Sequence, residues 1–377
     1  MSALGPLRDF LVDWLLRAAY PLWSQNGIDP ATGGFVEALD WNGSALSCAR
    51  RARVHPRQIY AFAQAPSLGW HGDVSGIINR GMSYFVRHYQ RDDGFFLTLA
   101  GADGRALDGR ALLYDQAFVL LGYAAAAVEL DARSQWESRA LELRELIDLH
   151  LGTGDGAYRP EMGADSYESN PHMHLLEAYL AWAEIGKNTG WTERVRSLVE
   201  LAVCRFISKD SGALGEFYLT TLQPTPGVSG GSIEPGHQFE WAWLLLRCES
   251  WLHRPVREIA LRLIEIGEQH GVMNGFAINA LRDDFTVHDA DARLWPQCER
   301  LKAALLAATS TGEQQHWTTA QAAAGSLCSY LHTRVPGLWF DVRSASGELR
   351  GEAVPASSFY HLVSAIVALD RAVGARQ

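Results

Sequence analysis

Gly94-Phe95-Phe96-Leu97-Thr98 sets a glycine in front of aromatic and β-prone residues, and the figure returns along the whole chain. It recurs as Gly34-Phe35-Val36-Glu37, Gly156-Ala157-Tyr158-Arg159, Gly212-Ala213-Leu214-Gly215-Glu216-Phe217, Gly275-Phe276-Ala277-Ile278 and Gly337-Leu338-Trp339-Phe340. Subtracting successive glycine numbers gives steps of 60, 62, 56, 63 and 62 residues. A near-constant period marks a repeated supersecondary unit. Several of these markers precede a polar turn, Asn42-Gly43, Asp103-Gly104 or Ser346-Gly347, which suits a short hairpin. Six such units fill the chain.

Between the markers lie apolar runs with helical periodicity. They predict helices near 5–24, 55–68, 73–90, 111–129, 133–150, 168–186, 191–207, 234–252, 255–270, 292–309, 313–332 and 356–373, two per repeat. One helix of each pair carries a polar face, as in Glu137 to Leu149. Its partner is apolar nearly all round, as in Leu175 to Trp182 or Phe239 to Leu246, and such helices are buried. Six buried helices inside six amphipathic ones make an all-α (α/α)6 barrel with hairpins in its loops, a single domain over 1–377. An open α-solenoid is the rival, but it needs polar end caps, and the last helix is strongly apolar from Phe359 to Leu369.

The 377 residues, 47% hydrophobic, supply a large core and exclude disorder. The net charge of −10 repels phosphate backbones, and no basic cluster argues for nucleic acid. Five scattered cysteines without a CxxC spacing read as reduced core residues and point to the cytoplasm. The N-terminal stretch carries Arg8, Asp9, Asp13 and Arg17, which a secretory leader would not. The longest charge-free apolar run, Ala117 to Val128, is too short to span a bilayer. No membrane partner is expected, and a homodimer is left open.

Polar residues at the starts of the apolar helices are the candidate site, because they interrupt sequence that is otherwise core. They are Arg57 and Gln58 in HPRQIYAFA, Tyr114 to Gln116 in LYDQAFVLLG, and Asn170, His172 and His174 in SNPHMHLLEAYL. The later helices add Glu234, His237 and Glu240 in IEPGHQFEWAWLLL, Trp295, Gln297 and Glu299 in RLWPQCERLKA, and Ser357, Ser358, Tyr360 and His361 in PASSFYHLVSAI. Burying so many polar groups costs free energy unless each has a partner. His172 and His332 read as capping or core-satisfied groups. His174 and Glu177, like His237 and Glu240, stand one turn apart on one face, so the carboxylate can hold the imidazole's tautomer. His361 has no such neighbour in sequence. Trp295 alone among the tryptophans opens one of these helices and suits sugar stacking.

The same residues admit rival chemistries. Histidines and glutamates offer metal ligands, but HExxH and Cys/His zinc spacings are absent, and no metal is expected. Glu234, Glu240 and Glu299 could serve an inverting glycosidase if two carboxyls faced each other at roughly 6.5–9.5 Å. That reading leaves the histidines idle. A non-catalytic binding surface is the third class.

These segments resemble the N-acylglucosamine 2-epimerase superfamily, and the resemblance covers essentially the whole chain. It implies an (α/α)6 barrel acting on a monosaccharide without a metal or redox cofactor. PGHQFEW looks like the block supplying one catalytic histidine, His237, with Glu240 beside it. PASSFYHL looks like the block of the second, His361. HPRQIY resembles the substrate-binding arginine block (Arg57), NPHMHLLEA points to Asn170 and His174, and Tyr114 matches an active-site tyrosine. Trp295, Glu240 and Glu299 are read with them as substrate-binding. RLWPQCERLKA and PASSFYHL look most like the D-mannose isomerase branch. Arg53, where the related sulfoquinovose isomerases carry tryptophan, and Ser357 and Ser358, where they carry larger polar residues, argue against sulfoquinovose.

The expected activity is aldose–ketose isomerisation, D-mannose to D-fructose or D-lyxose to D-xylulose, through a cis-enediol. Imidazole near its ordinary pKa of about 6.5 can take and return a carbon-bound proton. His361 would carry the proton between C2 and C1, and His237, steadied by Glu240, would move hydroxyl protons; the roles are reversible. A 2-epimerase using the same residues is the alternative. Arg51, Arg53 and Arg57 leave phosphorylated sugars open as substrates.

Overall fold

A computed structural model describes residues 4–186, 188–227, 229–252 and 255–375. Its helices follow the predicted ones closely: Arg133–His150 lies where 133–150 was expected, and Ser169–Ile185 where 168–186 was. The expected helix 5–24 is Leu4–Trp14, a π turn at Leu15–Ala19, and Tyr20–Asn26. The ends of others tighten or loosen similarly, with 3₁₀ turns at Pro66–Leu68 and Glu249–Trp251 and a π turn at Ala202–Phe206. Helix termini are where backbone groups lack partners, so the last three adjustments fall where expected, whereas the π turn at Leu15–Ala19 interrupts a helix.

The chain forms two compact units. One comprises Tyr20–Leu201 and Pro355–Tyr360; the other Met1–Ala19, Ala202–Val354 and His361–Gln377. In the first, Val54–Ala63 packs on Leu113–Glu129, which packs on Ser169–Ile185. Each is covered by a more polar helix, Val74–Tyr89, Arg133–His150 and Thr189–Leu201 respectively. Gly122 allows the first contact, because a Cβ there would stand 2.6 Å from Pro56 Cβ. Trp182 Nε1 donates to the Leu120 carbonyl at 2.9 Å and ties the second.

In the other unit, Pro235–Cys248 packs on Leu294–Thr311, and these are covered by Arg257–His270 and Gln314–Ser329. Pro235 at the first turn and the left-handed Gly312 (φ 77°) just past the end supply the start and stop signals of these two helices. Small antiparallel sheets lead into the buried helices: Ser232–Ile233 pairs with Ala280–Arg282, and Ala292–Arg293 with Val342–Arg343. Ala213, Ile233, Ile266, Ile278 and Leu281 form one apolar cluster beneath.

The repeat markers are hairpin turns. Gly94, Gly156, Gly212, Gly275 and Gly337 all have positive φ, between 78° and 94°. In the first repeat the left-handed position is Gly33 (φ 77°) and not Gly34, so the expected register there was off by one. The residue two places past the left-handed glycine pairs back across the turn, as Phe35 with Ile28, Phe96 with Gln90, Tyr158 with Gly152 and Leu214 with Ile207.

The structure also gives several expected site residues another duty. Gln116 receives the Phe96 N–H at 3.0 Å and donates to its carbonyl at 2.8 Å. Gln238 does the same to Leu214 and Gln297 to Ala277. His172 occupies the equivalent place, its Nε2 accepting from the Tyr158 N–H at 2.9 Å while Nδ1 faces the Glu168 carbonyl at 2.6 Å. These side chains clamp the preceding hairpin. Gln58 donates to the Ala356 carbonyl at 2.7 Å.

Candidate active site

Each unit holds one cluster of the candidate residues. In the first unit Arg57, buried in the opening turns of Val54–Ala63, donates from Nη2 to the Tyr114 hydroxyl at 2.6 Å and from Nη1 to the Ser357 carbonyl at 3.4 Å. Its guanidinium lies over the Phe118 ring at 4.1 Å and the Tyr360 ring at 5.5 Å. Stacking of this kind fixes a planar cation without neutralising it. His174 sits against Tyr114 and Phe118, with ring centroids 5.1 and 4.5 Å away, and its Nδ1 is 3.4 Å from Glu177 Oε2. The other Glu177 oxygen accepts the Tyr360 hydroxyl. The Asn170 Oδ1 is buried and has no hydrogen-bond partner among the described residues. Arg51 is taken up by Glu37, and Arg53 stands 3.4 Å from Asp115 and over the Tyr114 ring.

In the other unit His237 opens Pro235–Cys248. Its Nδ1 is 2.9 Å from Glu216 Oε2 and 3.9 Å from Glu234 Oε2. Glu216 also accepts the Glu234 backbone N–H at 3.4 Å, and Arg293 donates to Glu234 at 3.3 Å. Burial disfavours the charged ring, but the Glu216 and Glu234 carboxylates outweigh it and lift the His237 pKa to about 9. Burial raises that of Glu234, against the pull of His237.

His361 is held the same way by a different helix: its Nδ1 is 2.7 Å from Glu299 Oε1. In each ring the bond at Nδ1 to a carboxylate sets the orientation and the tautomer. Trp295 lies beside both imidazoles, its ring centroid 5.2 Å from His237 and 5.7 Å from His361. Gly236 makes room for it, since a Cβ there would meet the indole at 2.4 Å.

Two expectations change. The carboxylate on His237 is Glu216 from the preceding hairpin, not Glu240 one turn along, whose charge acts on the ring more weakly. His361 does have a carboxylate, because the fold brings Glu299 to it. Glu299 is 0% exposed and serves the histidine, so it is not placed to touch a substrate. Glu216 went unnoticed, although a signal existed. Four residues past the left-handed glycine stand Glu37, Glu216 and Asn279, and each accepts the backbone N–H leading into the next helix, from Arg51, Glu234 and Arg293.

Donor atoms of Glu240, Glu299 and His361 lie within 4.8 Å of one another, a spacing an ion could bridge. Glu299, however, already meets the His361 ring and the Lys302 ammonium, 2.6 Å away, and the trio reads as an ion-paired network. His332 is exposed beside Phe10. A cavity of about 440 Å³ beside Asn26, Asp29, Ser47 and Arg50 is lined by none of the candidate residues.

Paired histidines on carboxylates beside an indole, on helices of this type, define a sugar isomerase or epimerase, and the comparisons agree. The family model for N-acylglucosamine 2-epimerase matches residues 33–365; the chain belongs to that family. A mannose-6-phosphate isomerase of Rhizobium meliloti (strain 1021) is 42% identical, covering 96% of each chain. A solved D-mannose isomerase superposes with a TM-score of 0.87 at 21% identity, over 97% of each chain. The cellobiose 2-epimerase of Spirochaeta thermophila does so with 0.88 at 20%, over 99% of this chain and 98% of its own. The fold is therefore the (α/α)6 barrel of these enzymes. Among the described residues no helix is long and apolar enough to cross a membrane.

Proposed function

We propose that the protein is an aldose–ketose isomerase acting as one catalytic domain on D-mannose and D-fructose, and on the pentose pair D-lyxose and D-xylulose. The observation that carries this reading is the pair of imidazoles, each oriented through Nδ1 by a carboxylate, both within ring contact of Trp295. In the open-chain aldose, His361 Nε2 takes the proton from C2 while His237 Nε2 gives one to O1, forming the cis-enediol. His361 then returns its proton to C1 as His237 recovers one from O2, leaving the ketose and both rings as they began. The same His237 would serve ring opening. Arg57, Tyr114, Asn170 and His174 are assigned to sugar hydroxyls and to charge developing on the enediolate oxygens.

Glu37 on Arg51 and Asp115 beside Arg53 offset two of the three arginines and favour a neutral sugar. The name of the Rhizobium relative puts D-mannose 6-phosphate beside it in the assay. The likeness to a cellobiose 2-epimerase supports the second reading, in which one histidine removes the C2 proton and the other returns it to the opposite face. NMR of D-mannose incubated in D₂O decides: fructose for the isomerase, glucose for the epimerase, and neither product rejects both. His237→Gln and His361→Gln should each lower kcat at least about 100-fold, and full activity in both would overturn the mechanism. Five cysteines with no disulfide among the described residues fit a cytoplasmic enzyme.

A further inference from the structure

Two histidines held alike by carboxylates would titrate alike, yet an acid and a base must differ in proton affinity at one pH. Lys302 breaks the symmetry. It lies on Leu294–Thr311 one turn past Glu299, has no solvent exposure, and places Nζ 2.6 Å from Glu299 Oε2. The same ammonium is 3.7 Å from the centroid of the Trp243 ring. An enclosed ammonium is tolerable with an anion on one side and an aromatic face on another. The other Glu299 oxygen holds His361 at 2.7 Å, so one carboxylate joins lysine to histidine.

We propose that Lys302 divides the labour of the two histidines: it offsets the charge of Glu299 while leaving the hydrogen bond to His361 in place, keeping His361 neutral and basic at neutral pH. His361 is then the base at carbon and His237 the acid at oxygen, an assignment of roles that rests on the isomerase reading above. His237, lifted to about 9, is charged under those conditions. Among the described residues of this unit, Glu299 meets His361 directly, Lys302 stands behind Glu299, and Glu240 from Pro235–Cys248 has a carboxylate oxygen within 4.8 Å of the ligand atoms of Glu299 and His361. Lys302 sets its positive charge against Glu299. Being wholly enclosed, it touches no substrate and is a positioning residue.

Lys302→Met keeps the length and the contact with Trp243 but removes the charge. The Glu299–His361 pair then binds a proton more readily, whichever atom takes it. The acid limb of the kcat/KM profile should move up by about one pH unit, so activity near pH 6.5 falls about tenfold and recovers towards pH 8, with KM little changed. Lys302→Arg should keep the limb in place. An equal loss at every pH, or a limb moved to lower pH, would overturn the proposal.

Nitrogen-15 NMR of the histidine rings in the wild-type protein tests it without that variant, the two signals being assigned by their loss in His361→Gln and His237→Gln. At pH 7.5 His361 should be neutral and His237 an imidazolium; the same state for both sinks the inference. A protein that converts no aldose yet shows this split, and loses it in Lys302→Met, would reject the isomerase reading and leave the role of Lys302 standing.

Discussion

At His237 two opposing effects meet in one ring: burial, which favours the neutral form, and the Glu216 and Glu234 carboxylates, which overcome it. Glu216→Gln removes the nearer charge and keeps the shape. The alkaline limb of kcat/KM should then move down by about one pH unit, and an unmoved limb would show that His237 is not the acid. The folded-state value lies above the ordinary 6.5, so the stability gained from charging His237 is complete below about 6.5 and fades as pH rises through about 9. Thermal melting should therefore show the deficit of Glu216→Gln widest near pH 6 and gone above pH 9.5. The two histidines were legible in sequence because they interrupt apolar helices. Their partners were not, since Glu216 and Glu299 lie 21 and 62 residues away and no local spacing links them.

Among elements, the buried helices and the hairpins before them are joined by single side chains. Gln116 and Gln297 were legible only as polar residues at helix starts, and from sequence alone they looked like groups of a binding site, while Gln238 did not stand out. Each instead satisfies both backbone groups of one hairpin residue. Gln297→Leu leaves the buried N–H and C=O of Ala277 without that partner, and at about 1–3 kcal/mol for each the loss should reach roughly 2–4 kcal/mol in urea unfolding. His172 does half of that task with a ring, accepting the Tyr158 N–H while its other nitrogen meets the Glu168 carbonyl, so His172→Gln should fold with a change under about 1 kcal/mol. A collapse of that variant would show that the ring does something an amide cannot.

Across the whole molecule the period was the most legible feature, because a left-handed turn is open to glycine and costly to most other residues. Only the first marker misled: Gly33 and Gly34 are adjacent and composition cannot choose between them. Two fully buried neutral histidines set the acid limit. Burial lowers His55 to about 3 and His172 to about 4, so the unfolded chain takes up protons below pH 6.5 that the folded rings refuse. Stability should fall by about 1.4 kcal/mol per pH unit for each ring between roughly pH 6 and 4.5, and His172→Gln should halve that slope in urea titrations at stepped pH. From Gly94 to Gln116, Gly156 to His172, Gly212 to Gln238 and Gly275 to Gln297 the intervals are 22, 16, 26 and 22 residues. The ends of each interval are pinned while its interior changes length. Such segments behave as replaceable cassettes: a lineage, or an engineer, can splice new loops there and retune what the enzyme accepts while the scaffold beneath stays as it was.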